Sequence, residues 1–223
     1  MKAPQQLAVL MGLVLVSGQA IGQATPGSES IKPPAGLRPW EYTLIIGGYI
    51  VPEETSYVNP VLAADHKRLH LEARYNDEDL RTASLWAGYN FVRGDVSAGD
   101  KWELDITPML GGVFGRTKGI APGCEVSLSY RKKVDASIST EYVFDTASKS
   151  GSFYYSWPQL TYSPVDWFHV GAVAQHTAAY QTSFSIQRGF LVGFSRKKWE
   201  FTTYVFDPGT TRTIVVLESG VSF

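Results

Sequence analysis

From Trp40 to Phe223 apolar and polar side chains take turns along the chain, and no stretch carries the 3.6-residue spacing of a helix. Successive side chains of a strand point to opposite faces, so this texture predicts an all-β fold. Strands are expected near 41–51, 67–76, 82–92, 101–115, 122–131, 134–145, 153–163, 166–177, 183–195, 199–206 and 211–223. Residues 52–66, with Pro52 and Pro60, read as the longest loop; their end either extends the second strand or hides a short one. The faces separate cleanly. Leu69, Leu71, Ala73 and Tyr75 oppose Arg68, His70, Glu72 and Arg74. Trp102, Leu104 and Ile106 oppose Glu103 and Asp105, and Ile138, Tyr142 and Phe144 oppose Ser137, Ser139 and Glu141.

Alternation alone does not name the solvent, because a half-buried strand in water shows it too. Strand length does discriminate. Soluble strands centre on about 5 or 6 residues, whereas a tilted membrane strand needs about 9–11, and the segments here reach that length. Aromatic residues cluster at strand ends: Trp40 and Tyr42, Tyr142 and Phe144, Trp167 and Phe168, Trp199 and Phe201, Tyr204 and Phe206. Amphipathic rings favour the headgroup layer, so these positions predict a girdle. Charged residues make up 18%, below the roughly 25% of an ordinary soluble domain. The 20 basic and 21 acidic residues nearly cancel, which argues against nucleic acid as a partner.

The N-terminal segment has the marks of export. Lys2 precedes a ten-residue apolar run, Leu7 to Val16, and Gly22-Gln23-Ala24 fits a small-x-small cleavage site. Residues 1–24 are therefore expected to be a cleaved signal peptide. Residues 25–39 carry Pro26, Pro33, Pro34, Pro39, Gly27 and Gly36 and are expected to be a periplasmic tail. Residues 40–223 then form the folded unit.

The last strand, Val215 to Phe223, alternates to its end and closes on an aromatic residue. This ending resembles the C-terminal signature of bacterial outer-membrane β-barrel proteins of the small, porin-like kind. The resemblance implies an antiparallel transmembrane β-barrel in the bacterial outer membrane, in contact with outer-membrane lipid. It also implies that Phe223 is an assembly signal read by the barrel assembly machinery. Single-chain bacterial barrels have even strand numbers. Trp40 to Phe223 spans 184 residues, and about 15 residues per strand and connection gives about 12 strands. The expected range is 10–12, with 12 favoured. A repeat fits the same topology. Arg131-Lys132-Lys133 leads into a strand ending Tyr142-Val143-Phe144-Asp145, and Arg196-Lys197-Lys198 leads into one ending Tyr204-Val205-Phe206-Asp207. Both basic turns are expected at one end of the barrel and both acidic loop starts at the other.

Sites of chemistry are few. His66 and His70 are read on one face, and at i, i+4 on a strand they lie about 13 Å apart, too far for one ion. No serine carries a nucleophile signature, so no catalytic residue, metal or cofactor is assigned. Arg93-Gly94-Asp95 reads as a polar turn. Gly111, Gly112, Gly115, Gly119 and Gly123 lack the Lys-Ser/Thr of a phosphate loop and read as relief of crowding. Cys124 reads as a small apolar or lumen-facing residue. The lumen-lining set is Arg68, Glu72, Arg74, Glu103, Asp105, Glu125, Arg131, Glu141 and Glu218, with Asp135, Glu200 and Arg212 as further inward candidates. Acids dominate it. The expected function is a narrow passive channel for small solutes or ions. The alternative is a structural or surface-binding barrel without an open pore; a lipid-modifying enzyme or a secreted ligand-binding barrel ranks below both.

Overall fold

A computed structural model of the chain describes residues 40–52, 55–179 and 185–223. The signal peptide and tail expected over 1–24 and 25–39 lie outside the described residues. Thirteen strand segments follow in order: β1 (Glu41–Ile50), β2 (Tyr57–His66), β3 (Leu69–Tyr75), β4 (Thr82–Tyr89), β5 (Phe91–Gly94), β6 (Trp102–Gly115), β7 (Gly119–Tyr130), β8 (Val134–Asp145), β9 (Phe153–Val165), β10 (Phe168–Ala179), β11 (Ser185–Arg196), β12 (Trp199–Phe206) and β13 (Ile214–Ser222). Every pairing is antiparallel, and nearly all join sequence neighbours. Strand β1 pairs with β13, from Thr43 opposite Ser222 to Ile50 opposite Val215. That pairing closes the sheet into a barrel.

Strands β4 and β5 both lie along β6, so they are one pass interrupted at Asn90. The barrel thus has twelve passes, the favoured number. The missing one is β2, in the region expected to be mostly loop. Pro60 weakened its signal, yet β3 pairs only with Val61–His66. Pro60 therefore has a neighbour on one side alone, a position that tolerates proline.

Connections differ at the two ends. One end has tight turns at 67–68, 131–133, 166–167 and 197–198, three of them rich in Lys and Arg, and one longer connection at 95–101. At 130–133 both Arg131 and Lys132 have positive φ, 54° and 57°, and the Lys133 N–H donates to the Tyr130 carbonyl over 3.0 Å. Two successive left-handed residues at the tip of a hairpin match strand twist. The opposite end carries longer loops, including 76–81, 146–152 and 207–213. Both chain ends of the barrel lie at the turn end, as does Phe223. Its N–H and carbonyl each bond to Tyr42 at 2.9 Å, and the two rings stack with centroids 5.8 Å apart.

The basic turns and acidic loop starts of the repeat fall at opposite ends as expected, but the two aromatic ends face different ways. Tyr142 and Phe144 point outward, while Tyr204 and Phe206 are buried inside. Tyr142 lies nine residues beyond Lys133, and Tyr204 lies six beyond Lys198. An odd difference flips the face of a strand. Trp40, Tyr42, Trp167, Trp199 and Phe201 are exposed near the turn end and form the expected girdle there. Between the ends the outer face is apolar, with Ile46, Leu62, Leu85, Leu110, Leu160, Ile186 and Leu217 all exposed. A continuous apolar outer band on a closed barrel is the surface of a membrane-spanning one.

Candidate functional site

The barrel interior divides into two zones. Toward the loop end it is a packed core: Tyr49, Val61, Trp86, Val113, Tyr155, Trp157, Leu191, Tyr204, Phe206 and Val216 are all buried in one cluster. Trp157 sits edge-on to Tyr204 and Phe206, at centroid distances of 5.4 and 5.0 Å. Trp86 needs special room. A Cβ at Gly111 would stand 2.5 Å from its indole, and one at Gly123 would stand 3.0 Å from it. These two glycines make room for the indole on the two strands beside it rather than at a bend. Toward the turn end the wall is polar and partly accessible, with Glu103, Asp105, Ser127, Asp135, Ser137 and Glu200 half-buried.

Between the zones lies a charged belt centred on Arg74, which is 3% exposed. The Arg74 Nε donates to Glu72 Oε2 over 2.6 Å, and its Nη2 also reaches that carboxylate. Nη1 donates to Asp77 Oδ2 and Glu141 Oε2, both at 3.2 Å, and Nη2 lies 3.6 Å from Glu125 Oε1. The guanidinium rests 4.5 Å from the Trp86 ring centroid. His70 sits between two carboxylates, with Nδ1 at 2.9 Å from Asp65 and Nε2 at 3.1 Å from Glu72. At such contacts a buried guanidinium is held by several charge-assisted bonds at once, the strongest kind of side-chain bond.

The expected lumen set divides accordingly. Glu72, Arg74, Glu141 and Glu218 point inward and are buried, and Glu125, Glu103 and Asp105 point inward with partial exposure. Arg68 and Arg131 do not line the lumen. They occupy tight turns, where Arg68 donates to the outward Tyr89 hydroxyl over 3.0 Å and Arg131 lies 5.2 Å from the Tyr130 ring. The reading of Arg68 started its strand two residues early, and that of Arg131 extended one too far. Arg212 is an exposed loop residue. His66 ends β2 and stacks outward on Trp40 at 5.0 Å, so it shares no face with the inward His70. Cys124 is half-buried on the outer face, with the inward Gly123 and Glu125 as its chain neighbours.

Three site acids escaped the sequence reading: Asp77, Glu78 and Asp79, consecutive in the loop after β3. All are buried, at 1%, 0% and 7% exposure. Their signal was the acidic run itself, which ordinarily marks a solvated loop. Asp79 takes Arg116 in a two-pronged bond at 2.6 and 2.5 Å and the Thr117 hydroxyl at 2.9 Å, pinning this loop to the next. Among the described residues, Arg74 is the one arginine or lysine at an inward strand position. The interior is therefore strongly acidic.

No protein-family model matches the chain, and no curated protein sequence does. Solved structures do. The KdgM porin superposes with a TM-score of 0.58 at 13% identity, covering 81% of this chain and 99% of that one. The KdgM porin in complex with disordered oligogalacturonate gives 0.56 at 11% identity, covering 81% and 99%. The NanC porin gives 0.53 at 12% identity, covering 81% and 98%. The chain has the closed, twelve-pass antiparallel fold of these small porin barrels over nearly their whole length.

Proposed function

We propose that this barrel resides in the outer membrane as a narrow passive channel for small cations or neutral solutes, at rest in a closed conformation. The observation that carries the reading is the half-open, acid-lined zone at the turn end, with Glu103, Asp105, Asp135 and Glu200 around it. Such a wall raises the local concentration of cations and repels anions. Oligogalacturonate, present with the KdgM porin, is a polyanion, and the acidic interior here is unsuited to one. The apolar cluster from Tyr49 to Phe206 is then the constriction, of the hydrophobic kind that gates by excluding water. The three solved structures compared above are porins, and the proposed role is likewise not enzymatic.

A second reading is favoured by the same cluster. Tyr155 and Phe206 are wholly buried, and a packed interior suits a structural or surface-binding barrel. Planar-bilayer recording of the refolded protein separates the two. A channel gives discrete cation-preferring steps, and replacing Trp157 and Tyr204 by Ala enlarges them. Replacing Glu103 and Asp105 by Asn or Gln lowers the cation preference while the barrel still folds. Silence in the parent and in the Trp157/Tyr204 variant would reject the channel.

The proposed role of Phe223 is to signal assembly as well as to close the seam with Tyr42. Deleting it removes backbone bonds worth about 0.5–1.5 kcal/mol each. Refolding in detergent is therefore expected to survive with modest destabilisation, while outer-membrane levels in cells fall sharply. Normal levels in cells would leave Phe223 with the seam alone.

A further inference from the structure

We propose that Asp77, Glu78 and Glu141 form a divalent-cation site, suited to calcium, at the loop end of the barrel interior. One carboxylate oxygen from each of the three lies within 4.8 Å of the others. Calcium holds oxygen ligands at 2.3–2.6 Å, so oxygens on one ion lie at most about twice that distance apart. All three residues are buried, at 1%, 0% and 3% exposure.

The orientation of the carboxylates points to the same ligand. Glu78 Oε1 accepts from the Trp86 indole N–H at 2.9 Å, and Glu141 Oε2 accepts from Arg74 at 3.2 Å. The opposite oxygens, Glu78 Oε2 and Glu141 Oε1, are buried without a hydrogen-bond partner. Each carboxylate is thus tethered by one oxygen and has the other free to ligate. Asp77 is fixed by Asn59 at 2.6 Å and Arg74 at 3.2 Å, and a carboxylate oxygen accepts more than one partner.

Charge gives an independent reason. Glu72, Asp77, Glu125 and Glu141 contact Arg74, and Glu78 joins them through Asp77 and Glu141. Fully ionised, five carboxylates around one guanidinium would leave four negative charges, or three with His70 protonated. A dry interior does not hold that charge, so the carboxyls either keep protons or share a cation. A cation between the free oxygens relieves it where it is densest. Ligands that are all oxygen select hard cations over zinc or copper. Calcium tolerates the irregular geometry of donors drawn from a strand and a loop better than magnesium does. The proposal stands whether or not the barrel conducts.

Terbium replaces calcium and luminesces when a nearby tryptophan is excited, and Trp86 touches the site. Refolded protein in detergent is titrated with terbium, with and without calcium or magnesium. Saturable emission, displaced by calcium before magnesium and unmoved by sodium, is expected. Glu141→Gln and Glu78→Gln should each weaken binding by about tenfold or more, since even a group behind the ligands typically costs that much. Asp166→Asn, in an exposed turn at the far end of the barrel, should not. Calcium should also raise the temperature at which the folded gel band is lost, and a chelator should reverse this. A parent protein showing neither saturable emission nor a calcium-dependent shift would overturn the proposal, even if the variants fail to fold. Unchanged affinity in folded Glu141→Gln would overturn it as well.

Discussion

Replacing Arg74 by Met is expected to destabilise the barrel by about 3–5 kcal/mol at neutral pH, the usual result of removing one partner from a buried charge network. Arg74 is the common partner of Glu72, Asp77, Glu125 and Glu141, and without it those carboxylates face one another in a dry space. The pH dependence has a definite sign. Burial without a partner penalises only the ionised form of a carboxyl group, so the penalty appears as pH rises and disappears on acidification. Urea unfolding of the refolded variant should therefore show a large deficit at pH 7 that shrinks toward pH 4. Removing two of the acids as well, Glu72→Gln and Glu141→Gln, should restore much of the loss at pH 7. A deficit equal at both pH values would show that Arg74 acts through packing on Trp86 rather than through charge.

Arginine at Ile138 is expected to cost about 2–4 kcal/mol, because a cation on the lipid face near mid-strand must leave water for hydrocarbon. Ile138 is outward on β8, flanked by Val126 and Pro158 on the neighbouring strands. Leu128→Arg, two residues from the turn end of β7, should cost less, since the penalty falls toward the interface. Ser127→Arg should cost little. That side chain points into the accessible zone opposite Asp105, which offers an acidic partner. Ser139, although also inward, is not an equivalent control, because it is buried at 4% exposure and has no room for arginine. Unfolding in lipid vesicles checks the order Ile138, Leu128, Ser127. Equal losses at Ile138 and Ser127 would contradict the register.

The sequence by itself determined the class of fold, the faces and the closing strand. Alternation is a local property, and once one face of a strand meets lipid its parity is set for the whole strand. That is why Leu71, Leu104 and Ile138 were legible as outward, and Glu72, Arg74 and Glu141 as inward. Tertiary structure decided whatever depends on where a strand begins, because one residue of slip reverses a side chain. Arg68 and Arg131 moved from lumen to turn for that reason, and Tyr204 and Phe206 moved from girdle to core. It also decided what fills the interior. Parity placed Arg74 and Glu141 inside but not against each other, since such contacts join residues distant in the chain. The loop acids Asp77, Glu78 and Asp79 follow no alternation at all. Only the closure of twelve passes turns them inward, where Arg74 and Trp86 hold Asp77 and Glu78 beside Glu141.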